Sequence, residues 1–137
     1  SEPPPGLSAA LADGNRFQDL LAASFELGKS GNEVLTTALE ATRAAGLDAR
    51  IYSHPLGYFG HAPGPIIGLW GVQAPIPYLG EWPIHAATVY AIEGSVRVTV
   101  PEWDGQTVEI KLEQDAVFDG ERVRYLAGRQ TRWHLVR

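Results

Sequence analysis

The stretch from Ile51 to Pro83 constrains this chain more than any other. After Ile51 it reads Tyr-Ser-His-Pro-Leu-Gly-Tyr-Phe-Gly-His-Ala-Pro-Gly-Pro-Ile-Ile-Gly-Leu-Trp. Gly at this density costs backbone entropy, and Pro removes helix hydrogen bonds, so no long helix can form here. The stretch is also too apolar for a flexible linker. It is expected to be an ordered, partly buried loop region, the kind of segment that carries function. The chain therefore has to be built differently on its two sides.

Before the loop, the pattern is helical. Leu7, Leu11, Phe17, Leu20, Leu21, Phe25 and Leu27 form a rough apolar stripe, which predicts a helix from about Leu7 to Leu27. Gly14 interrupts it at a cost of about 1 kcal/mol relative to Ala. Ser1 to Gly6, with consecutive prolines, reads as an extended lead-in. Gly28 to Gly31 ends the helix, and Asn32 is placed to cap a second one reaching about Ala45, with Gly46 as its stop.

After the loop, the pattern is β. Val96, Val98 and Val100 alternate, as do Val108, Ile110 and Leu112, with Asp104-Gly105 as a turn between them. Val117-Phe118, Val123 to Tyr125 and Thr131 to Val136 read as further short strands. The expected class is α+β: one domain over residues 1–137, with two helices packed on an antiparallel sheet.

Composition removes several function classes. The chain has 137 residues and a formal net charge of −5, with only 11 Lys and Arg, scattered along it. That argues against general nucleic-acid binding. No apolar run approaches the roughly 18 residues of a membrane span. The absence of cysteine excludes disulfides, thiolate catalysis and zinc-finger sites.

The residues suited to chemistry are few. His54 and His61 lie seven apart inside the loop, among Gly57, Gly60 and Gly64. Alone, such a pair reads first as hydrogen-bonded structural histidines, with metal ligands or proton carriers as the alternative. Glu93 sits in an apolar strand, where a carboxylate is costly unless it is paired or binds a metal. Glu113 ends a strand, where a solvated polar position is the plain alternative. A two-residue Asp104-Gly105 turn would pair Trp103 with Gln106 and set Val96 opposite Glu113. Glu93 would then lie on the other face, unless a bulge at Gly94-Ser95 or a longer loop restored the parity. With that restored, one His and two Glu form a nitrogen and oxygen donor set suited to Mn, Fe, Co or Zn. Two carboxylates can bridge a metal pair about 3.5–4 Å apart. His85 and His134 read as structural or surface residues, and Trp70, Tyr78 and Trp82 as packing anchors or pocket walls. Ser1 as an amino-terminal nucleophile is a further reading, with no adjacent base to support it.

Ser53-His54-Pro55-Leu56-Gly57-Tyr58-Phe59-Gly60-His61, Ile92-Glu93-Gly94 and Leu112-Glu113-Gln114-Asp115-Ala116-Val117 stand in an order that resembles the carboxy-terminal part of the pita-bread metallopeptidases. These are aminopeptidase P, prolidase and methionine aminopeptidase, with the non-metal relative creatinase; bacterial Xaa-Pro peptidase-like proteins look nearest. The resemblance implies a curved sheet and metal-ligand roles for His54, Glu93 and Glu113. It implies that His61 contacts substrate and steadies the tetrahedral intermediate. The implied reaction is hydrolysis of an amino-terminal peptide bond, Xaa-Pro being one candidate, by water activated at two divalent ions (Mn, Co, Fe or Zn). The implied partners are a peptide substrate and a second segment or chain, with a homo-oligomer as a further expectation.

The sequence departs from that pattern in three ways. Gly94 stands where the family has Pro after its first ligand Glu, and Ala62 where it has an acidic residue. The family's two Asp ligands come from a hairpin ahead of the helices, and Asp13 and Asp19, inside the first predicted helix, do not replace them. A catalytic domain lacking that hairpin is therefore expected to be inactive alone. A pita-bread fold used for binding or scaffolding, with the metal site lost, is the alternative.

Overall fold

A computed structural model describes residues 2–136, so Ser1 and its reading as a nucleophile lie outside the described residues. Helix α1 spans Pro5–Ala23 and helix α2 spans Gly31–Ala44. The strands are β1 Asp48–Ile51, β2 His54–Pro55, β3 Thr88–Val100, β4 Gln106–Phe118 and β5 Val123–Tyr125. They form one sheet in the order β1-β3-β4-β5, with β2 also on β3. Every strand pair is antiparallel. The expected α+β class, two helices on an antiparallel sheet, is what the chain forms.

The proline lead-in is shorter than its composition suggests. Pro4 keeps an extended backbone, but Pro5 already occupies the first turn of α1, where its missing N–H costs nothing. The side chain of Glu102, from the far hairpin, accepts the Gly6 N–H at 3.0 Å. Gly14 does not interrupt α1. A Cβ there would lie 2.8 Å from Leu112 Cδ1, so the glycine lets the helix lie close on the sheet. Leu11, Phe17 and Leu21 are buried beside it, while Leu27, beyond the helix end, is exposed.

Asn32 is not the cap of α2. Ser30 takes that place, accepting the Glu33 N–H while the Glu33 carboxylate accepts the Ser30 N–H, a reciprocal capping box. The Asn32 side chain instead clamps the long loop, donating to Ile76 O at 3.1 Å and accepting from Ile76 N at 2.7 Å. Gly46, at φ +75, closes the helix as expected.

The β3–β4 ladder runs unbroken from Thr88–Phe118 to Val100–Gln106. There is no bulge at Gly94-Ser95, and Trp103 does not pair with Gln106. The connection is the longer loop Pro101–Gly105: a 3-10 turn over Pro101–Trp103, then Asp104 and Gly105 at φ 50 and 74. Relative to the two-residue turn, Gln106 now faces Val100 instead of Trp103, an odd shift that inverts the face parity. Among the described residues, Thr131 to Val136 forms no strand. The segment before and within it straps α1 instead: Asn15 Nδ2 donates to Gln130 O at 3.0 Å, and Trp133 Nε1 donates to Leu7 O at 3.1 Å.

The core lies between the two helices and the sheet, and includes Phe17, Leu21, Val34, Leu35, Ile51, Ile67, Ile84, Ile92 and Phe118. Among the described residues, β5 pairs only with Ala116–Phe118, so no strand covers the outer edge of β4 from Gln106 to Gln114. No described helix is long and apolar enough to cross a membrane.

Candidate metal centre

The loop after β1 is laced onto β3 one residue at a time. Tyr52 N donates to Glu93 O at 3.1 Å, the Ser53 hydroxyl to Ala91 O, and Leu56 N to Val89 O at 2.8 Å. Ser53 also exchanges two backbone hydrogen bonds with Ile67. This fixes His54 opposite Ala91, with 2% of its surface exposed. The chain then turns at Gly57–Gly60, closed by a Gly60 N to Gly57 O bond of 3.0 Å, and Ala62 N returns to Pro55 O at 2.9 Å. The turn lays the His61 ring over that of His54, with centroids 4.1 Å apart and planes 19° from parallel. The glycines make the approach possible: Gly60 has φ +90, and a Cβ on Gly57 would lie 2.6 Å from His61 O.

Glu93 and Glu113 are direct partners in the β3–β4 ladder. His54 Nε2 lies 3.6 Å from Glu93 Oε2. One ligand atom from each of His54, Glu93 and Glu113 falls within 4.8 Å of the others. His54 is buried, Glu93 half-buried and Glu113 exposed, so the cluster opens to solvent on one side. A pocket of 240 Å³ adjoins it, lined by Trp70, Glu93, Gly94, Lys111, Leu112 and Glu113. Lys111 Nζ sits 5.0 Å from the Trp70 ring centroid.

Electrostatics make the cluster want a cation. Burial, and then the charge of Glu113, push the Glu93 carboxyl above its usual range, against the pull of the Trp70 side chain, His61 and Lys111. Burial, and then the two carboxylates, raise the Tyr52 phenol. Like charges directly opposite on neighbouring strands repel. His54 Nδ1 lies 3.0 Å from Pro55 O, which can only accept, so Nδ1 carries the proton and Nε2 keeps its lone pair on the Glu93 side. An imidazole lone pair and two carboxylates fit a divalent cation of borderline hardness.

His54, Glu93 and Glu113 are thus brought together, and His61 lies on His54. His85 and His134 are exposed and outside the cluster. Asp13 and Asp19 lie on α1, where Asp19 pairs with Arg129. Composition did not single out Tyr52 or Lys111. Tyr52 was legible in one respect: it stands two residues before His54 in extended chain, and so shares its face. The Tyr52 ring lies 5.1 Å from His54 and 6.1 Å from Trp70.

The sequence matches no protein-family model and no curated protein. Solved structures do resemble the fold. An X-Pro aminopeptidase from Thermotoga maritima superposes with a TM-score of 0.66 at 17% identity, over 96% of this chain and 34% of that one. A dipeptidase from Pyrococcus horikoshii gives 0.62 at 21%, over 90% of this chain and 31% of that one. Dipeptidase PepE from Mycobacterium ulcerans gives 0.63 at 17%, over 96% and 32%. The chain therefore has the fold seen in pita-bread peptidases, and it spans about a third of the length of these three proteins.

Proposed function

We propose that this chain is the carboxy-terminal part of a metal-dependent peptidase that hydrolyses an amino-terminal peptide bond, Xaa-Pro being one candidate. The observation that carries the reading is the convergence of His54, Glu93 and Glu113 from three separate strands, with donor atoms within 4.8 Å of one another, on a fold shared with peptidases. His54 Nε2 and the carboxylates of Glu93 and Glu113 would hold the ion. A divalent ion there supplies Lewis-acid polarisation of a carbonyl and activation of water. The residues do the rest. His54 is held in its ligating tautomer by Pro55 O. Glu93 and Glu113, direct partners on neighbouring strands, would present both carboxylates to the ion from one side. His61, stacked on His54, is placed to contact the substrate.

Three donors are a minimal set. A second segment or chain that pairs with the open edge of β4 beside Glu113 would deliver two aspartates and complete a site for two ions, drawn from Mn, Co, Fe or Zn. This chain alone would then be an inactive, incomplete catalytic domain. The three-donor count also favours a second reading, a non-catalytic scaffold that has lost its metal.

Titration of the metal-free chain with Mn²⁺ and Zn²⁺ by calorimetry separates the two. One ion per chain, lost in both Glu93→Gln and Glu113→Gln, supports the peptidase reading. No binding up to millimolar metal would leave the scaffold.

A further inference from the structure

We propose that Tyr52 is a positioning residue for His61: its phenol O–H donates to His61 Nε2 and holds the neutral imidazole with its proton on Nδ1. Tyr52 Oη and His61 Nε2 are 3.2 Å apart, and among the described residues neither side chain makes another hydrogen bond. The Tyr52 backbone is tied to Glu93 O, and its ring is packed against His54 and Trp70, so the hydroxyl is held in place. The His61 ring is fixed by its stack on His54 and by the Ala62–Pro55 bond just after it. The direction of the bond follows from the two groups. An imidazole nitrogen with a free lone pair is a strong acceptor, whereas a phenol oxygen shares its lone pair with the ring and accepts weakly. The bond made by one ring nitrogen decides which nitrogen keeps the proton.

The consequence rests on the peptidase reading, but the tautomer does not. With Nε2 occupied, His61 would enter the reaction as an N–H donor from Nδ1 toward a substrate carbonyl oxygen, and not as a base at Nε2. Tyr52 would never touch the substrate.

The test is the two-bond proton–nitrogen NMR spectrum of the ¹⁵N-labelled, metal-free chain at pH 8.5, with His61 assigned by its loss in His61→Gln. The expected wild-type pattern has a protonated Nδ1 and an unprotonated Nε2. Tyr52→Phe should shift His61 toward the Nε2–H form without changing the pattern of exposed His85. A wild-type spectrum dominated by the Nε2–H form overturns the proposal, and so does a pattern that Tyr52→Phe leaves unchanged. The wild-type measurement decides even if the variant folds poorly. Zn²⁺ affinity of Tyr52→Phe should fall far less than the roughly 10- to 100-fold typical of losing a partner that orients a ligand. If the chain binds no Zn²⁺ and His61 still shows the Nδ1–H pattern, the peptidase reading fails and the role of Tyr52 stands.

Discussion

Glu93 and Glu113 face each other as direct partners across the β3–β4 ladder, with His54 on the flank of Glu93. Without a cation, this juxtaposition is repulsive. Glu113→Gln should therefore stabilise the metal-free chain at pH 7 by about 0.2–1 kcal/mol, the scale on which cross-strand side-chain pairs act. The same substitution should remove the stabilisation that Mn²⁺ confers on the wild type, about 2.7 kcal/mol at a metal concentration 100 times Kd. Thermal melts of both proteins with and without Mn²⁺ check both signs. A variant less stable than wild type in chelator would show that the pair is not repulsive.

Tyr90 gives the fold an alkaline limit. Its ring is 1% exposed, and burial pushes the phenol up to about 12. The His85 backbone pulls the other way, but it does not reach hydrogen-bond geometry, and Oη is without a partner among the described residues. An unfolded tyrosine ionises near pH 10, roughly. Between these values the unfolded chain releases its proton and the folded chain keeps it, so stability is fully present below about pH 10 and falls as pH rises toward 12. Tyr90→Phe should be as stable as wild type or more so at pH 7, since it deletes an unpaired buried hydroxyl. It should also lose less stability in base, by on the order of 2 kcal/mol at pH 12. Denaturant midpoints at pH 7 and pH 11 test this, and parallel losses in the two proteins would contradict it.

Gly94 is required by packing. A Cβ there would run into the Arg50 carbonyl and the Phe17 ring, where β1 and α1 both meet β3. Gly94→Ala should cost at least about 1–3 kcal/mol, the usual range for overpacking. Urea denaturation measures it. A cost under 0.5 kcal/mol, roughly the ceiling for neutral surface changes, would mean that α1 can lift away from β3 freely.

Asn32 holds the long loop to the start of α2. Asn32→Ala should leave the Ile76 N–H unpaired, with Ile76 O still accepting from Gly80 N, and cost about 1–3 kcal/mol. Hydrogen exchange should speed up at Ile76 and Gly80, whose partners are Asn32 and Ile76. Unchanged exchange at Ile76 would show that the loop is held by other contacts.

What the sequence determined by itself is what short-range physics controls. Apolar spacing marked two helices, alternation marked the long hairpin, and Gly/Pro density marked an ordered loop between them. Glu93, a carboxylate in an apolar strand, was legible as a costly residue, whereas Glu113 read as a solvated strand end and His54 as one of a structural or ligating pair. Their meeting was not legible. Whether Glu93 and Glu113 share a face depends on the parity of the hairpin loop, and Asp104-Gly105 looks like a complete turn until Pro101–Trp103 is seen to wind before it. The capping role passed from Asn32 to Ser30 because Ile76, far away in sequence, occupies the Asn32 side chain. The last segment became a strap because the hydrogen-bond partners near it are on α1 and not on a strand. Tyr52 acquired a role only when the Gly57–Gly60 turn folded His61 back within 3.2 Å of its hydroxyl. Register, loop parity and long-range hydrogen bonds are set by competition among distant groups, and only the tertiary structure decides that competition.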